Sequence, residues 1–117
     1  MRVLVVGLNP SRMNGKSPTI KKLYKWLDVL ELKTVSFINL YEGYEIDHGQ
    51  NQQQRIKSMS KDYQKIIALG VRVSDTLDDL AIDHFSLPHP SGLNRQTNDL
   101  KFVHERLEAC KNYLYGR

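Results

Sequence analysis

Short apolar runs that end in glycine alternate with stretches of helical period, and this alternation most constrains the fold. R-V-L-V-V-G (2–7) and Q-K-I-I-A-L-G (64–70) have the length and continuous apolar character of strands buried on both faces. T-V-S-F-I-N-L-Y (34–41) is β-branched and aromatic, and I-D-H-F-S-L (82–87) is a fourth strand candidate. Because helical stretches separate them, the strands need crossover connections, which predicts a parallel sheet.

The segments between the strands predict the helices. From Pro18 as far as Leu30 apolar residues recur at helical spacing, with proline in the first turn and Ser17 or Thr19 as the N-cap. V-R-V-S-D-T-L-D-D-L (71–80) predicts a short helix. These helices lie between strand candidates, as expected of an α/β protein.

Two further segments complete the pattern. Residues 50–61 predict either a polar helix or a loop, since they offer little apolar face. The last helix is predicted from about Thr97 to Tyr115. Its apolar stripe consists of Leu100, Val103, Leu107, Cys110 and Leu114. The fold class is therefore α/β, a three-layer α/β/α sandwich with a central four-stranded parallel sheet.

Composition bounds the function. A chain of 117 residues with 40% hydrophobic content suits a single domain, residues 1–117. Seventeen basic against 13 acidic residues give a net charge of +4, which permits an anionic partner. Cys110 is the only cysteine, so an intramolecular disulfide or a cluster of thiolates that holds a metal is excluded, and a reducing, cytoplasmic setting is expected. No signal peptide or membrane span is predicted, so we expect a soluble protein.

In parallel α/β sheets, ligands bind beyond the carboxyl ends of the strands. The segments expected there are G-L-N-P-S (7–11), N-L-Y-E-G (39–43), G-V-R-V-S (70–74) and L-P-H-P-S-G-L-N-R (87–95). The first and last contain prolines, which stiffen a loop and suit a site held on a rigid scaffold. Polar residues follow apolar strands directly in both.

G-L-N-P-S after the first strand and H-P-S-G-L-N-R after the last together resemble the paired motifs of the uracil-DNA glycosylase superfamily. The first resembles G-[IM]-N-P-G of the mismatch-specific and single-strand-selective branches. The second resembles N-P-S-G-L-S-R of the mismatch-specific branch, with His89 as in the H-P-S motif of the classical uracil glycosylases. F-I-N-L and I-I-A-L-G resemble the intervening strands of the family. The resemblance implies a uracil-DNA glycosylase-like fold of minimal size, since the chain is shorter than typical members.

The resemblance implies a DNA glycosylase that hydrolyses the N-glycosidic bond of uracil or a related damaged or mismatched pyrimidine. Positive charge builds on the sugar and negative charge on the departing base, so catalysis requires charge stabilisation and a placed water, without a cofactor or metal. The implied catalytic residues are Asn9, which positions the water, and His89, which donates to a base oxygen. Asn39 would pair with uracil O4 and N3–H. The expected substrate-binding residues are Gly7, Leu8, Pro10 and Asn39.

A paired base must leave the helix to reach such a site, and the second motif suits base flipping. Leu93 is the expected wedge in the vacated space, and Arg95 would contact a phosphate or the orphaned base. The expected DNA-binding residues are Ser11, Lys16, Ser91, Gly92, Leu93, Asn94 and Arg95. The expected partner is DNA, duplex and possibly single-stranded, bound by a monomer that does not associate with membranes.

Several alternatives stay open. Asn39 suits a residue that simply closes its strand through backbone bonds as well as one that reads the base, and the lysines of the first helix, Lys21, Lys22 and Lys25, suit a solvated face as well as phosphate contacts. No aromatic residue precedes the first helix to stack on a flipped base, which leaves Met13, Tyr41 and Tyr44 as substitutes. The alternative functions are a non-catalytic DNA- or protein-binding module on the same fold, or an enzyme acting on modified bases or free nucleotides.

Overall fold

The central element of the protein is a four-stranded, all-parallel sheet with strand order β2-β1-β3-β4. The computed structural model describes residues 1–8, 18–41, 52–90 and 98–116. The elements in chain order are β1 (Val3–Gly7), α1 (Pro18–Val29), β2 (Ser36–Asn39), α2 (Gln53–Ser60), β3 (Lys65–Leu69), α3 (Val71–Asp79), β4 (Phe85–Leu87) and α4 (Leu100–Tyr115). The predicted α/β fold with a four-stranded parallel sheet is confirmed.

Two apolar cores, one on each face of the sheet, make the domain three-layered. Val3 and Val5 of β1 pack with α1 and α4, whereas Leu4 and Val6 pack with α2 and α3. All four side chains are at most 1% exposed. This is why β1 is apolar without alternation: both of its faces are covered by helices.

The helices bear out most of the predicted pattern. The open choice for residues 50–61 is settled in favour of a helix, α2, which inserts Ile56 into the core at 0% exposure. Since α1 begins at Pro18, Thr19 lies inside the helix rather than at its cap. Ser17 lies outside the described residues.

The last helix corrects one predicted core residue. Within the described residues α4 begins at Leu100, and the Asp99 side chain caps it by accepting a hydrogen bond from the Phe102 N–H at 3.1 Å. Leu100, in the first turn of α4, is 81% exposed, so it does not belong to the buried stripe. The other four members, Val103, Leu107, Cys110 and Leu114, are buried.

The outer strands are shorter than predicted. β4 covers Phe85–Leu87 rather than 82–87, because the Ile82 N–H bonds back to the Leu77 carbonyl and ends α3 instead of entering the sheet. β2 covers Ser36–Asn39 rather than 34–41. Its chain nevertheless continues along β1, since the Leu40 N–H donates to the Gly7 carbonyl at 2.8 Å.

The strand order defines where a ligand is expected. The chain moves outward from β1 to β2, then returns past β1 to form β3 and β4. The direction of winding therefore reverses between β1 and β3, and the crevice beyond the carboxyl ends of these strands is the usual ligand position. Among the helices in the described ranges, none combines the length and apolar character needed to cross a membrane.

Candidate active site

Asn39 lies over the glycine that ends β1. The register of β1 and β2 sets Gly7 opposite Asn39. Asn39 Oδ1 lies only 2.6 Å from the position that a Cβ on residue 7 would occupy. Any side chain at residue 7 would therefore push the carboxamide aside. The glycine that closes the first apolar run allows a polar group to lie over the end of a central strand.

Among the described residues, it is the main chain of Asn39 and not its carboxamide that takes part in closing β2. The Asn39 main-chain carbonyl accepts a hydrogen bond from Gln52 Nε2 at 2.9 Å, so another residue satisfies the strand end. Within the described part of the chain the Asn39 carboxamide itself makes no hydrogen bond. This arrangement leaves a donor and an acceptor at the carboxyl edge of the sheet.

His89 lies over the glycine that follows β3. Gly70 has a φ of 96°, a conformation that side-chain-bearing residues rarely adopt, and its N–H donates to the Leu87 carbonyl at 2.8 Å. A Cβ on Gly70 would lie 3.3 Å from His89 Cβ, which is a tight contact. Leu87 and Pro90 are fully buried on either side of His89 and fix the segment that carries it.

The surroundings of His89 favour its neutral form. Burial removes water from the imidazole and lowers its pKa from the ordinary value of 6.5. A neutral imidazole has one N–H donor and one acceptor nitrogen. His89 also lines a cavity of about 230 Å³, together with Gly70, Val71, Phe102 and Arg106.

Asn39 and His89 approach the middle of the sheet from opposite sides. Asn39 belongs to β2 and leans over the end of β1, whereas His89 follows β4 and leans over the end of β3. Since β1 and β3 are paired neighbours, their ends are only about 4.8 Å apart. Two polar side chains thus flank the point at which the winding direction reverses. A carboxamide and a neutral imidazole complement a flat heterocycle that carries carbonyl and N–H groups.

Leu8 and Tyr41 lie at the same edge. The Tyr41 N–H donates to the Leu8 carbonyl at 3.0 Å. The Arg72 guanidinium carbon lies 5.9 Å from the centre of the Tyr41 ring, which is a cation–π distance. Tyr41 is thus the only one of the three substitute stacking residues within the described residues. Sequence reasoning missed Arg72 and Gln52, although Arg72 falls in the G-V-R-V-S segment expected at this edge.

Four predicted site residues, Gly7, Leu8, Asn39 and His89, occupy one edge of the sheet. The remaining predicted residues lie outside the described ones, and their roles stay predictions: Asn9, Pro10, Ser11, Lys16, Ser91, Gly92, Leu93, Asn94 and Arg95. Met13 and Tyr44 also lie outside them. In the described ranges no three His, Cys, Asp or Glu side chains cluster in a way that could hold a metal ion.

No protein-family model, curated protein or solved structure matches this chain. The function of the protein is therefore inferred from its own motifs and from the geometry at the carboxyl edge of its sheet.

Proposed function

We propose that the protein is a DNA glycosylase that hydrolyses the N-glycosidic bond of uracil or of a related damaged or mismatched pyrimidine. The observation that carries the proposal is the placement of Asn39 over Gly7 and of His89 over Gly70, on the adjacent ends of β1 and β3. The sequences that follow β1 and β4 are the two motifs that resemble the uracil-DNA glycosylase superfamily.

The two described polar groups suit the departing base. The Asn39 carboxamide can donate to O4 and accept from N3–H of uracil, a pattern that cytosine presents in reverse. Neutral His89 can donate a hydrogen bond to the base oxygen that gains negative charge as the glycosidic bond breaks. A preorganised donor of this kind contributes a factor of about 10²–10³ in rate, or about 2.7–4 kcal/mol.

Water activation and base flipping are assigned to residues in the segments that come after Leu8 and Pro90 in the sequence. Asn9, next after Leu8, would orient the attacking water through its side-chain carbonyl. Leu93 and Arg95 follow Pro90 by three and five residues and would fill the vacated space and hold the DNA backbone. An amide activates water less strongly than a carboxylate, so modest turnover is expected.

Single-turnover release of uracil tests the proposal. The substrates are labelled oligonucleotides with uracil in a single strand, opposite guanine and opposite adenine, together with deoxyuridine monophosphate. We expect release by the wild type and none above background by Asn9→Ala, with DNA affinity and folding retained. Asn112→Ala is the matched control, since this asparagine is exposed on α4, and it should behave as the wild type.

The other outcomes identify the competing classes. DNA affinity without any base release would contradict the proposal and indicate a non-catalytic binding module. Release from the monophosphate alone would instead indicate an enzyme of free nucleotides. Near-normal activity in Asn9→Ala would remove the catalytic role of this asparagine.

A further inference from the structure

A groove lies between α1 and the outer side of β2, and neither Gly7 nor His89 lines it. It has a volume of about 760 Å³. We call it the β2 groove and define it by two aromatic rings and three lysines of its lining: Tyr24, Phe37, Lys21, Lys25 and Lys33. β2 is the outermost described strand on this side of the sheet, so its outer edge has no partner strand among the described residues.

The two rings of the β2 groove do not serve the core. Tyr24 is 56% exposed and Phe37 is 47% exposed, so neither ring is buried in the core. α1 fills the core with Leu23, Trp26 and Leu27 instead. A single exposed aromatic residue needs no explanation, but two on facing elements of one groove form a potential stacking surface.

The charge of the β2 groove selects an anionic occupant. Its three lysines are exposed, and Asp28 is the only acidic residue among the described residues of the lining. Among the described residues, no carboxylate forms an ion pair with any of the three. A second copy of the chain would bring lysines against lysines, which disfavours self-association through this edge. A polyanion would meet favourable charge along the whole groove.

The aromatic rings further select a single strand over a duplex. Single-stranded nucleic acid offers base faces for stacking beside phosphates for cations, whereas a duplex keeps its base faces stacked inside. Val35 and Phe37 line the groove where the chain enters β2, so the groove lies along the outer strand of the sheet. Asn39 comes two residues after Phe37 on the same strand, about 6.6 Å further along. The groove therefore leads toward the candidate active site.

We propose that the β2 groove binds the single-stranded DNA that flanks the target nucleotide. Bases stack on Tyr24 and Phe37, and phosphates lie near Lys21, Lys25 and Lys33. This inference rests on the proposed function, because it assigns the bound strand to the substrate. It gives the lysines of α1 a role in binding rather than in solvation alone.

Fluorescence anisotropy with a labelled oligothymidylate of about 12 nucleotides, which contains no uracil, tests the groove independently of chemistry. Phe37→Leu keeps an apolar side chain but removes the ring, and we expect it to weaken binding at least about fivefold, the lower end of one lost stacking contact. Phe37→Tyr retains a ring and should restore affinity. Thermal unfolding of each variant verifies that its fold is retained.

The salt dependence tests the lysines. Lys25→Gln should reduce the slope of log K against log salt by about 0.7, the value for one phosphate contact on a single strand. Lys57→Gln is the matched control, because Lys57 is equally exposed but belongs to α2 on the opposite face of the sheet, and it should leave the slope unchanged.

Wild-type affinity in both Phe37→Leu and Lys25→Gln would overturn the inference. A change in sedimentation behaviour in Phe37→Leu, with DNA affinity intact, would also overturn it and indicate a contact between copies. Because this assay requires no base release, a protein that binds through the groove but releases no uracil would contradict only the glycosylase proposal. Uracil release by the wild type, combined with wild-type DNA affinity in both Phe37→Leu and Lys25→Gln, would contradict only the proposed role of the groove.

Discussion

The two edges of the sheet differ in how their polar side chains are used. The amino edge holds the larger cavity, about 640 Å³, lined in part by Lys57, Tyr63, Lys65 and His84. The carboxyl edge holds a cavity of about 230 Å³ beside His89. Of these two cavities, size alone would favour the one at the amino edge. The contacts of the side chains at the two edges instead favour the carboxyl edge as the candidate site.

Polar and charged groups at the amino edge mostly bind one another. The Arg2 guanidinium carbon lies 4.8 Å from the centre of the Tyr63 ring, and Lys65 Nζ lies 4.6 Å from the centre of the Tyr113 ring. The Tyr113 hydroxyl accepts a hydrogen bond from the Ile66 N–H. These cations and rings stabilise the start of β3 and its packing against α4, which is a structural use.

The two histidines near β4 differ in where they lie. Both ring nitrogens of His84 have close partners: Nδ1 lies 2.8 Å from the Ile82 carbonyl and Nε2 lies 2.7 Å from Ser74 Oγ. His84 thereby ties α3 to the segment that enters β4. His89 instead lies over a glycine, at the point where the winding of the sheet reverses. The comparison teaches that the placement of polar groups at the point where the winding reverses, rather than cavity volume, favours the carboxyl edge as the candidate site.

The largest expected effect distinguishes the roles of the two histidines. His89→Ala should slow single-turnover uracil release by about 10²-fold, as expected for the loss of one preorganised donor. His84→Ala should leave the rate unchanged but lower the free energy of unfolding by about 1–3 kcal/mol, because Ser74 and the Ile82 carbonyl lose a buried partner. Uracil release and urea unfolding of both variants provide the measurement. A slower rate in His84→Ala alone would assign the chemistry to the amino edge.

The sequence predicted the layers of this fold for a clear physical reason. β1 is apolar at every position because helices cover both of its faces, and such a run indicates a buried parallel strand directly. It also predicted that Asn39 and His89 lie at the carboxyl ends of the second and fourth strands, where parallel sheets bind ligands. The sequence could not predict that Asn39 lies over Gly7 or that His89 lies over Gly70. These placements depend on the register between strands that are 32 residues apart for Gly7 and Asn39, and on the φ of Gly70.

The errors in the sequence interpretation are local. The segment I-D-H-F-S-L predicts a strand that begins at Ile82, yet a backbone hydrogen bond from the Ile82 N–H to the Leu77 carbonyl holds this residue at the end of α3. Leu100 fits the helical period of α4, but the Asp99 cap sets it in the first turn, where no neighbouring element covers it. Hydrophobic periodicity specifies which face is apolar, whereas caps and turn hydrogen bonds decide where the element begins.

A smaller expected effect tests whether the loop after β4 acts on duplex DNA at the carboxyl edge. Leu93→Ala should reduce uracil release from duplex substrates at least about tenfold more than release from single strands, because only the duplex has stacking and pairing to disrupt. Single-turnover rates for uracil in a single strand and opposite guanine provide the test. Equal losses on both substrates would contradict the wedge and return the loop after β4 to a purely structural role.

The smallest expected effect concerns pH. Because burial lowers the pKa of His89 below 6.5, the unfolded chain binds more protons at this residue than the folded protein does. The stability associated with neutral His89 is therefore present above about pH 6.5 and is lost as the pH falls through the folded-state pKa. Urea unfolding should show a larger loss of unfolding free energy between about pH 7.5 and 5 in the wild type than in His89→Gln. Equal losses would indicate a solvated imidazole.

The most direct test of the central claim is a double-mutant cycle on Gly7 and Asn39, measured as single-turnover uracil release from a single strand. Gly7→Ala introduces a Cβ 2.6 Å from Asn39 Oδ1, so the carboxamide must turn away, at little cost in stability because a side-chain end can move. Both single variants should release uracil more slowly, and the double variant should match Asn39→Ala, since no carboxamide remains to be displaced. Multiplied losses in the double variant, or wild-type rates in both single variants, would contradict the account.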